Sequence, residues 1–327
     1  MVGITAFGGY VPRLRLARKA IVAAHVWADP GLKGKARGER SMCNWDEDAV
    51  TMGVEAARYC LASLVVAADK RRTKAASAGE LAFGDAAAAV TIGNDAPLLE
   101  FVAAHSATVD FVDHFRAATE EFDYTWEERW IRDEGLAKIV PPVIAKVLAK
   151  AGVAPAALTH FIMPSTIGRA VAGIARQAGI VEAAVRDNLD AVCGETGAAH
   201  PLVMLLHTLE TRVKTGDTIL VIGFGQGCDA VVLRATAALA TFKPAGGIVA
   251  ALGNRQEETN YQKYLAFNDL VTLEKGMRAE RDDYKTALTV AYRKRDMLLG
   301  LVGGRCTQCD TLQFPRTEIC VNPQCKA

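Results

Sequence analysis

Two stretches of the chain have the same sequence pattern. In each, an apolar run is followed by a glycine-containing segment and then by a second apolar run. The first pair is SLVVAAD (63–69) with FGDAAAAVTIG (83–93). The second pair is ILVIG (219–223) with DAVVLRA (229–235), joined by FGQGC (224–228). Short β-branched runs of this kind are typical of strands buried in a sheet. The repetition indicates an internal duplication, which restricts the fold to two related α/β halves.

The two copies differ in what precedes the paired strands. The second copy has a helix pattern (134–152), a strand (160–164), a helix (166–179), a strand (188–193) and a helix (198–214) before ILVIG. In the first copy the helix pattern 49–62 runs straight into SLVVAAD, without Gly, Pro, Asn or Asp at the junction. Connections in compact α/β domains take about 2–6 residues with turn chemistry. The first half therefore lacks a strand–helix–strand–helix block between Ala62 and Ser63, by natural deletion or because the sequence omits a disordered segment.

The predicted organisation has four parts. These are an N-terminal half (1–98), a C-terminal half (99–241), a linker with charged helices (242–299) and a cysteine-rich tail (300–327). The boundary near residue 242 rests on the change from glycine-rich to charged sequence. The aromatic and acidic stretch 101–133 lies between the halves and fits either an excursion over an active-site face or a solvated helix and loop.

Composition excludes several classes of function. The net charge is +1 and half of the residues are hydrophobic, so bulk electrostatics favours neither nucleic acid nor an anionic membrane. No apolar run reaches the ~18 residues of a membrane span, and the N-terminus lacks the layout of a signal peptide. We expect a cytoplasmic protein with reduced thiols.

The tail concentrates half of the eight cysteines in two short knuckles. Cys306 and Cys309 form a C-x2-C pair, and Cys320 and Cys325 form a wider second pair. Four thiolates on two turns fit a tetrahedral zinc site that leaves no coordination position open for catalysis. Two disulfides are the alternative, which fits poorly with a chain that is not exported. The sequence predicts a structural zinc ion.

Several motifs together resemble the thiolase superfamily. In chain order they are FGDAAAA (83–89) in the first copy, GETGAAHPLVMLLHTLE (194–210) and GFGQG (223–227) before a closing strand, and the resemblance covers residues 1–236. The nearest branches are the 3-hydroxy-3-methylglutaryl-CoA synthases and the type III ketoacyl-carrier-protein synthases. The tail resembles the zinc ribbon of small zinc-ribbon/OB-fold proteins that accompany such enzymes, and we expect an OB barrel to follow it.

The resemblance implies a duplicated five-layer αβαβα fold, a homodimer and an acyl-CoA thioester substrate. It also implies a nucleophilic cysteine at a helix N-terminus, which falls in the block missing between Ala62 and Ser63. Cys43, Cys60, Cys193 and Cys228 do not match that position. A mechanism with two cysteines is disfavoured, because Val221 stands where thiolases carry the second one.

The remaining site residues follow from the matched motifs. The Pro-His pair of the synthases matches Pro164-Ser165, so this position has lost its base. The Gly-Asn-Thr turn matches Gly194-Glu195-Thr196, and His200-Pro201 resembles the Gly-His-Pro histidine of thiolases. We expect His200 and Glu195 to be catalytic, His200 as the base and Glu195 as the orienting acid or proton donor, and Ser165 and Gly225 to contact substrate. The structural alternatives are helix caps for Glu195 and Ser165 and a core histidine for His200.

The expected function is that of an acyl-CoA acyltransferase forming a carbon–carbon bond by Claisen-type condensation, similar to hydroxymethylglutaryl-CoA synthase. The alternatives are thiolytic cleavage of an acyl-CoA and a non-catalytic thiolase-like scaffold subunit.

Overall fold

Alternating apolar residues in the first 272 positions build one large mixed sheet with helices on both faces. The computed structural model describes residues 2–45, 47–57, 63–244, 246–273, 288–300 and 302–325. The strands are β1 (Gly3–Tyr10), β2 (Leu14–Ala17), β3 (Glu39–Met42), β4 (Ser63–Asp69), β5 (Ala86–Gly93), β6 (Leu99–Ala107), β7 (His114–Phe115), β8 (Tyr124–Thr125), β9 (His160–Ile162), β10 (Thr218–Gly225), β11 (Gly227–Ala235), β12 (Gln256–Glu258), β13 (Gly304–Arg305) and β14 (Leu312–Gln313).

The helices cover the two faces and the edges of that sheet. They are α1 (Arg18–His25), α2 (Ala49–Ala57), α3 (Ala78–Ala82), α4 (Glu128–Trp130), α5 (Ala137–Ala151), α6 (Ala170–Gln177), α7 (His200–Thr211), α8 (Ile248–Gly253), α9 (Tyr261–Phe267), α10 (Leu288–Arg293) and α11 (Arg295–Leu298). A π-helical segment, Ile131–Leu136, joins α4 to α5. None of the helices in the described part of the chain combines the length and apolar character that a membrane span requires.

The strand order of the large sheet displays the duplication. The order is β4-β5-β1-β6-β11-β10-β9, and β1 meets β6 through two pairs, Gly3 with Glu100 and Ile4 with Leu99. On either side of this junction three antiparallel neighbours follow the same pattern, β1-β5-β4 on one side and β6-β11-β10 on the other. The predicted duplicated α/β fold is confirmed.

Helix α7 lies between the two half-sheets. Its buried Val203 and Leu206 share a core with Phe7 of β1, Ala88 of β5 and Ile219 of β10. The side chains of β5 alternate as a pleated strand requires, so its other face meets α2. Helix α5 packs on the outer face of β6 and β11. The layers therefore have the expected αβαβα order. Helix α2 is followed by the half-sheet β1-β5-β4, helix α7, the half-sheet β6-β11-β10, and helices α5 and α6.

The two halves differ at their outer edges. Strand β9 runs parallel to β10, whereas no described strand pairs with the outer edge of β4. The side chains of Leu64, Val65 and Val66 on β4 are 41%, 44% and 40% exposed. An open strand edge with apolar side chains is unusual in a folded domain. It stands at the position that β9 occupies in the other half.

Residues 242–272 belong to the first unit, not to a linker. Strand β12 pairs with β2, and Tyr264 of α9 is completely buried in a core with Leu16 and Ile21. The chain divides between residues 272 and 273, so the boundary predicted near 242 was about 30 residues early. The surrounding sequence is charged, so it did not predict that the two tyrosines of α9 are buried.

The predicted strand at 188–193 is a turn. The Asp187 carboxylate accepts the N–H of Leu189 at 2.7 Å, and the Asn188 side-chain oxygen accepts that of Asp190 at 3.3 Å. Short polar side chains that bond to nearby backbone compete with a strand ladder. The second unit, residues 273–327, contains α10, α11 and the antiparallel pair β13–β14.

Candidate active site

The predicted catalytic turn and the FGD motif of the other half pair through their backbones. Gly84 donates its N–H to the carbonyl of Glu195 at 2.8 Å, and Glu195 donates to the carbonyl of Ala82 at 2.8 Å. Gly194 has a φ of +82°, and a Cβ there would lie 2.9 Å from the nitrogen of Gly84. The turn needs glycine for both reasons. The two halves of the duplication therefore meet at Glu195.

Both oxygens of the Glu195 carboxylate are held. Oε1 accepts the N–H of Gly197 at 2.9 Å, ahead of α7, and Oε2 accepts from Nη1 of Arg71 at 2.8 Å. The side chain is 14% exposed. Glu195 thus caps the turn and also forms an ion pair, so the cap and the functional interpretation are compatible. An ionised carboxylate in this position acts as an acceptor.

Arg71 joins the N-terminal half to two carboxylates of the other half. Besides Glu195, it contacts Asp123 through Nε at 3.3 Å, and its guanidinium lies 3.5 Å from the ring centroid of Phe83. Its side chain is 7% exposed. The contact of Asp123 brings the stretch 101–133 against the site, which favours the predicted excursion over a free solvated loop.

His200 lies at the first turn of α7 with both ring nitrogens occupied. Nδ1 accepts the N–H of Thr196 at 3.0 Å, so Nε2 carries the proton and donates to the carbonyl of Asn188 at 2.7 Å. Burial lowers its pKa below the ordinary value, so the ring is neutral. In this arrangement His200 holds the turn and has no ring nitrogen free for a substrate, as the core-histidine alternative predicted.

Ser165 is connected to His200 through Asn188. The Asn188 amide donates to the main-chain oxygen of Ser165 at 3.0 Å, while the Asn188 carbonyl receives the His200 proton. The Ser165 hydroxyl accepts the N–H of Ile167 at 3.1 Å, the local turn bond expected of its structural alternative. Ser165 remains half-buried.

Gly225 lies at the tip of the hairpin formed by β10 and β11. A Cβ at Gly225 would meet nothing within 4 Å, whereas Gly227 has a φ of +104° and its Cβ would collide with the carbonyl of Ala107. The bend therefore needs glycine at 227. Phe224, beside Gly225, packs against Phe111 with ring centroids 6.3 Å apart.

The described cysteines of the first unit are not placed to react. Cys43, Cys193 and Cys228 are buried, and burial raises the pKa of Cys193 and of Cys228 to about 12 and that of Cys43 further. Cys60 and the Ala62 side of the predicted missing block lie outside the described residues.

The four tail cysteines form a separate cluster whose spacing fits zinc. Their sulfurs all lie within 4.8 Å of one another, with Cys306–Cys325 at 3.9 Å and Cys309–Cys320 at 3.6 Å. Tetrahedral bonds of about 2.3 Å place sulfurs about 3.8 Å apart around zinc. A disulfide would need about 2.05 Å.

Sequence reasoning missed three residues of the site. Arg71 binds Glu195, Asp123 binds Arg71, and the main-chain carbonyl of Asn188 accepts the proton of His200. The cationic run Lys70-Arg71-Arg72 directly after a buried strand was the available signal for Arg71. Asp123 and Asn188 carried no comparable signal.

Solved structures of low sequence identity share this fold, which is that of the thiolase-like enzymes. A crystal structure described as HMG-CoA synthase complexed with CoA superposes with a TM-score of 0.66 at 14% identity, over 87% of this chain and 95% of that one. 3-Oxoacyl-[acyl-carrier-protein] synthase III of Aquifex aeolicus gives 0.60 at 19% identity, over 72% of this chain and 100% of that one.

Family models match two parts of the chain. Residues 148–235 match 3-oxoacyl-[acyl-carrier-protein] synthase III C-terminal, and residues 299–327 match the ChsH2 rubredoxin-like zinc ribbon domain. The first match covers α6, α7, β10 and β11, and the second contains the four clustered cysteines. The predicted resemblance and the zinc ribbon are confirmed.

Curated relatives match over a short stretch. Hydroxymethylglutaryl-CoA synthase of Thermococcus sibiricus is 45% identical over 60 residues, 18% of this chain and 16% of that protein. The enzyme of Methanosarcina barkeri is 46% identical over 63 residues, 18% of each chain. The matched stretch spans less than a fifth of these relatives.

Proposed function

We propose that this chain is an acyl-CoA acyltransferase that forms a carbon–carbon bond by Claisen-type condensation, similar to hydroxymethylglutaryl-CoA synthase. The observation that carries the proposal is the position of Glu195, an ion-paired carboxylate on a backbone-locked turn where the two halves meet. The fold and the matches to condensing enzymes support the same chemistry.

Glu195 is the proposed proton acceptor. In a condensation, an acyl thioester loses a proton from the carbon next to its carbonyl, and the resulting enolate adds to the carbonyl of a second substrate. A fixed carboxylate can accept that proton, and each oxygen of Glu195 has a lone pair beyond the bonds to Gly197 and Arg71. His200 is assigned a positioning role, since its nitrogens hold Thr196 and Asn188.

The acyl-carrying nucleophile is proposed to come from the block missing between Ala62 and Ser63. Two features support this placement. The outer edge of β4 is open where the other half has β9, and the N-terminal half has no described counterpart of the central helix α7. The buried Cys43, Cys193 and Cys228 do not offer an alternative.

The decisive experiment measures covalent acylation and turnover separately. Protein is incubated with [1-¹⁴C]acetyl-CoA, denatured and counted, and consumption of acetoacetyl-CoA is followed in parallel with and without acetyl-CoA. A condensing enzyme retains label and consumes acetoacetyl-CoA only with acetyl-CoA present. Consumption that instead requires free CoA identifies thiolytic cleavage.

A non-catalytic scaffold subunit is the second candidate, favoured by the absence of an accessible cysteine among the described residues of the first unit. It would bind acyl-CoA without retaining label after denaturation. Intact mass distinguishes the two explanations of the missing block, since the sequence as printed corresponds to 34.9 kDa. Glu195→Gln should retain the label of a condensing enzyme and lose turnover.

Three further properties belong to the proposal. We infer a homodimer, because the resemblance implies one. We also infer a structural zinc ion on the four tail cysteines and a cytoplasmic location where those thiols stay reduced. Sedimentation equilibrium tests the dimer, since a single species at the monomer mass contradicts it.

A further inference from the structure

The guanidinium of Arg71 is fixed in its plane by three different contacts. Nη1 binds Glu195, Nε binds Asp123 and the flat face stacks on Phe83. A guanidinium is rigid and planar, so these contacts also fix the direction of its third nitrogen, Nη2. The arrangement leaves Arg71 no freedom to turn that nitrogen towards water.

Nη2 of Arg71 is buried and has no acceptor among the described residues. Buried donors in folded proteins nearly always have a partner, and one that lacks it is commonly associated with a functional site. The Glu195 and Asp123 side chains that bind Arg71 are each 14% exposed, so the two partners of this guanidinium are accessible from outside. A molecule bound beside these two carboxylates can supply the missing acceptor.

We propose that Nη2 of Arg71 donates a hydrogen bond to the carbonyl oxygen of the acyl group in the bound acyl-CoA. This assignment rests on the proposed function, because it takes a CoA thioester as the ligand. It places the acyl carbonyl beside Glu195, so that the carbon from which the proton is taken lies near the carboxylate. Arg71 then both orients the carboxylate and draws electron density from the carbonyl.

The charges around Arg71 favour a neutral acceptor. Its single positive charge already faces the carboxylates of Glu195 and Asp123, and Nε of Arg116 lies 4.0 Å from the other oxygen of Asp123. A third carboxylate would be repelled by the first two at short range. A thioester carbonyl is uncharged and can accept one of the two N–H groups of Nη2.

Arg72 provides a matched control on the next residue. Its Nε and Nη2 donate to the carbonyls of Asn268 and Asp269 at 3.0 and 2.9 Å, and it pairs with Glu121. Its side chain is 30% exposed. Arg72 therefore carries the same charge at the adjacent position, but its Nε and Nη2 donate to acceptors within the protein.

The test compares two CoA thioethers that differ in one carbonyl oxygen. S-acetonyl-CoA has the carbonyl and S-propyl-CoA has a methylene in its place, and neither can acylate the protein. Dissociation constants are measured by calorimetry for the wild type, Arg71→Gln, Arg71→Lys and Arg72→Gln. A ligand that leaves a buried donor without an acceptor binds about tenfold or more weakly. The wild type should therefore bind S-acetonyl-CoA more tightly than S-propyl-CoA by that factor.

The variants then decide where the preference originates. Arg71→Gln should reduce it to about threefold or less, and Arg72→Gln should keep the wild-type ratio. If Arg71→Gln does not fold, as judged by circular dichroism, Arg71→Lys replaces it, because it keeps the charge without the planar fork and should lose most of the preference.

Two results would overturn the assignment. Equal affinity of the wild type for both thioethers, or a preference that survives in the Arg71 variants, removes it while leaving the proposed function intact. Failure of the wild type to bind either thioether or free CoA removes the assignment together with the proposed function.

Discussion

His200 donates from Nε2 to the main-chain oxygen of Asn188 over 2.7 Å, and this bond links the start of α7 to the turn that replaces a predicted strand. Asn188 in turn holds the main chain at Ser165. Ser165 and His200, which match different catalytic motifs, are therefore parts of one partly buried hydrogen-bonded chain, which sets the orientation of the Gly194-Glu195-Thr196 turn.

Replacing His200 by alanine should destabilise the protein strongly. The change removes the hydrogen bonds of the ring to Thr196 and Asn188 and leaves the N–H of Thr196 without its acceptor, so the free energy of unfolding should fall by about 2–4 kcal/mol. Urea denaturation measures this. His207→Ala, on the same helix but half-buried, should cost about 1 kcal/mol or less. A His200→Gln protein of normal stability that has lost turnover would instead support the catalytic role.

Stability should fall as the solution is acidified below neutral pH. Burial lowers the pKa of His200 from its ordinary 6.5, so the unfolded chain binds its proton first. The contribution of His200 is complete above about pH 6.5 and is lost as pH falls towards the lowered value, by at most about 1.4 kcal/mol per pH unit. Urea denaturation between pH 8 and pH 5 measures the slope.

The slope of that pH dependence should be reduced in His200→Gln. His207 contributes in the same direction, because burial lowers its pKa too, but it is only half-buried. Its substitution by glutamine should leave most of the slope in place. An unchanged slope in the His200 variant would contradict the neutral, buried state assigned to this ring.

Gly194 and Gly225 should respond differently to alanine. The Cβ of Gly194→Ala would crowd Gly84 at a φ of +82°, so the cost should be about 2 kcal/mol or more. Gly225→Ala meets nothing within 4 Å and should stay within about 0.5 kcal/mol. Thermal and urea unfolding compare the two. If Gly225→Ala weakens acyl-CoA binding at normal stability, its predicted substrate contact gains support.

The tail should bind one zinc ion per chain. Elemental analysis of protein purified without chelators should give about one zinc for the wild type and close to none for Cys306→Ser or Cys320→Ser, since each removes one of four ligands. Cys228→Ser is the control, because this buried cysteine lies outside the cluster. Full occupancy in the Cys306 variant would contradict the four-thiolate site.

The local sequence patterns of the chain were sufficient to predict the architecture and the cysteine cluster of the metal site. Strand pairs such as 63–69 with 83–93 depend on β-branched periodicity, and the knuckles of Cys306 and Cys320 depend on short spacing, both of which are local properties. The boundary near 242 was misplaced because the burial of Tyr264 is decided by distant residues such as Leu16.

The amino-acid sequence by itself determined the duplication and the identity of the turn that carries Glu195, and the block missing between Ala62 and Ser63 stays a prediction. Only the tertiary structure decided which side chains surround that turn. Arg71, Asp123 and Glu195 come from three separate parts of the chain, and no spacing rule connects them. The state of His200 was likewise decided by folding, because its nitrogens are satisfied by Thr196 and Asn188 only after the helix packs between the two half-sheets.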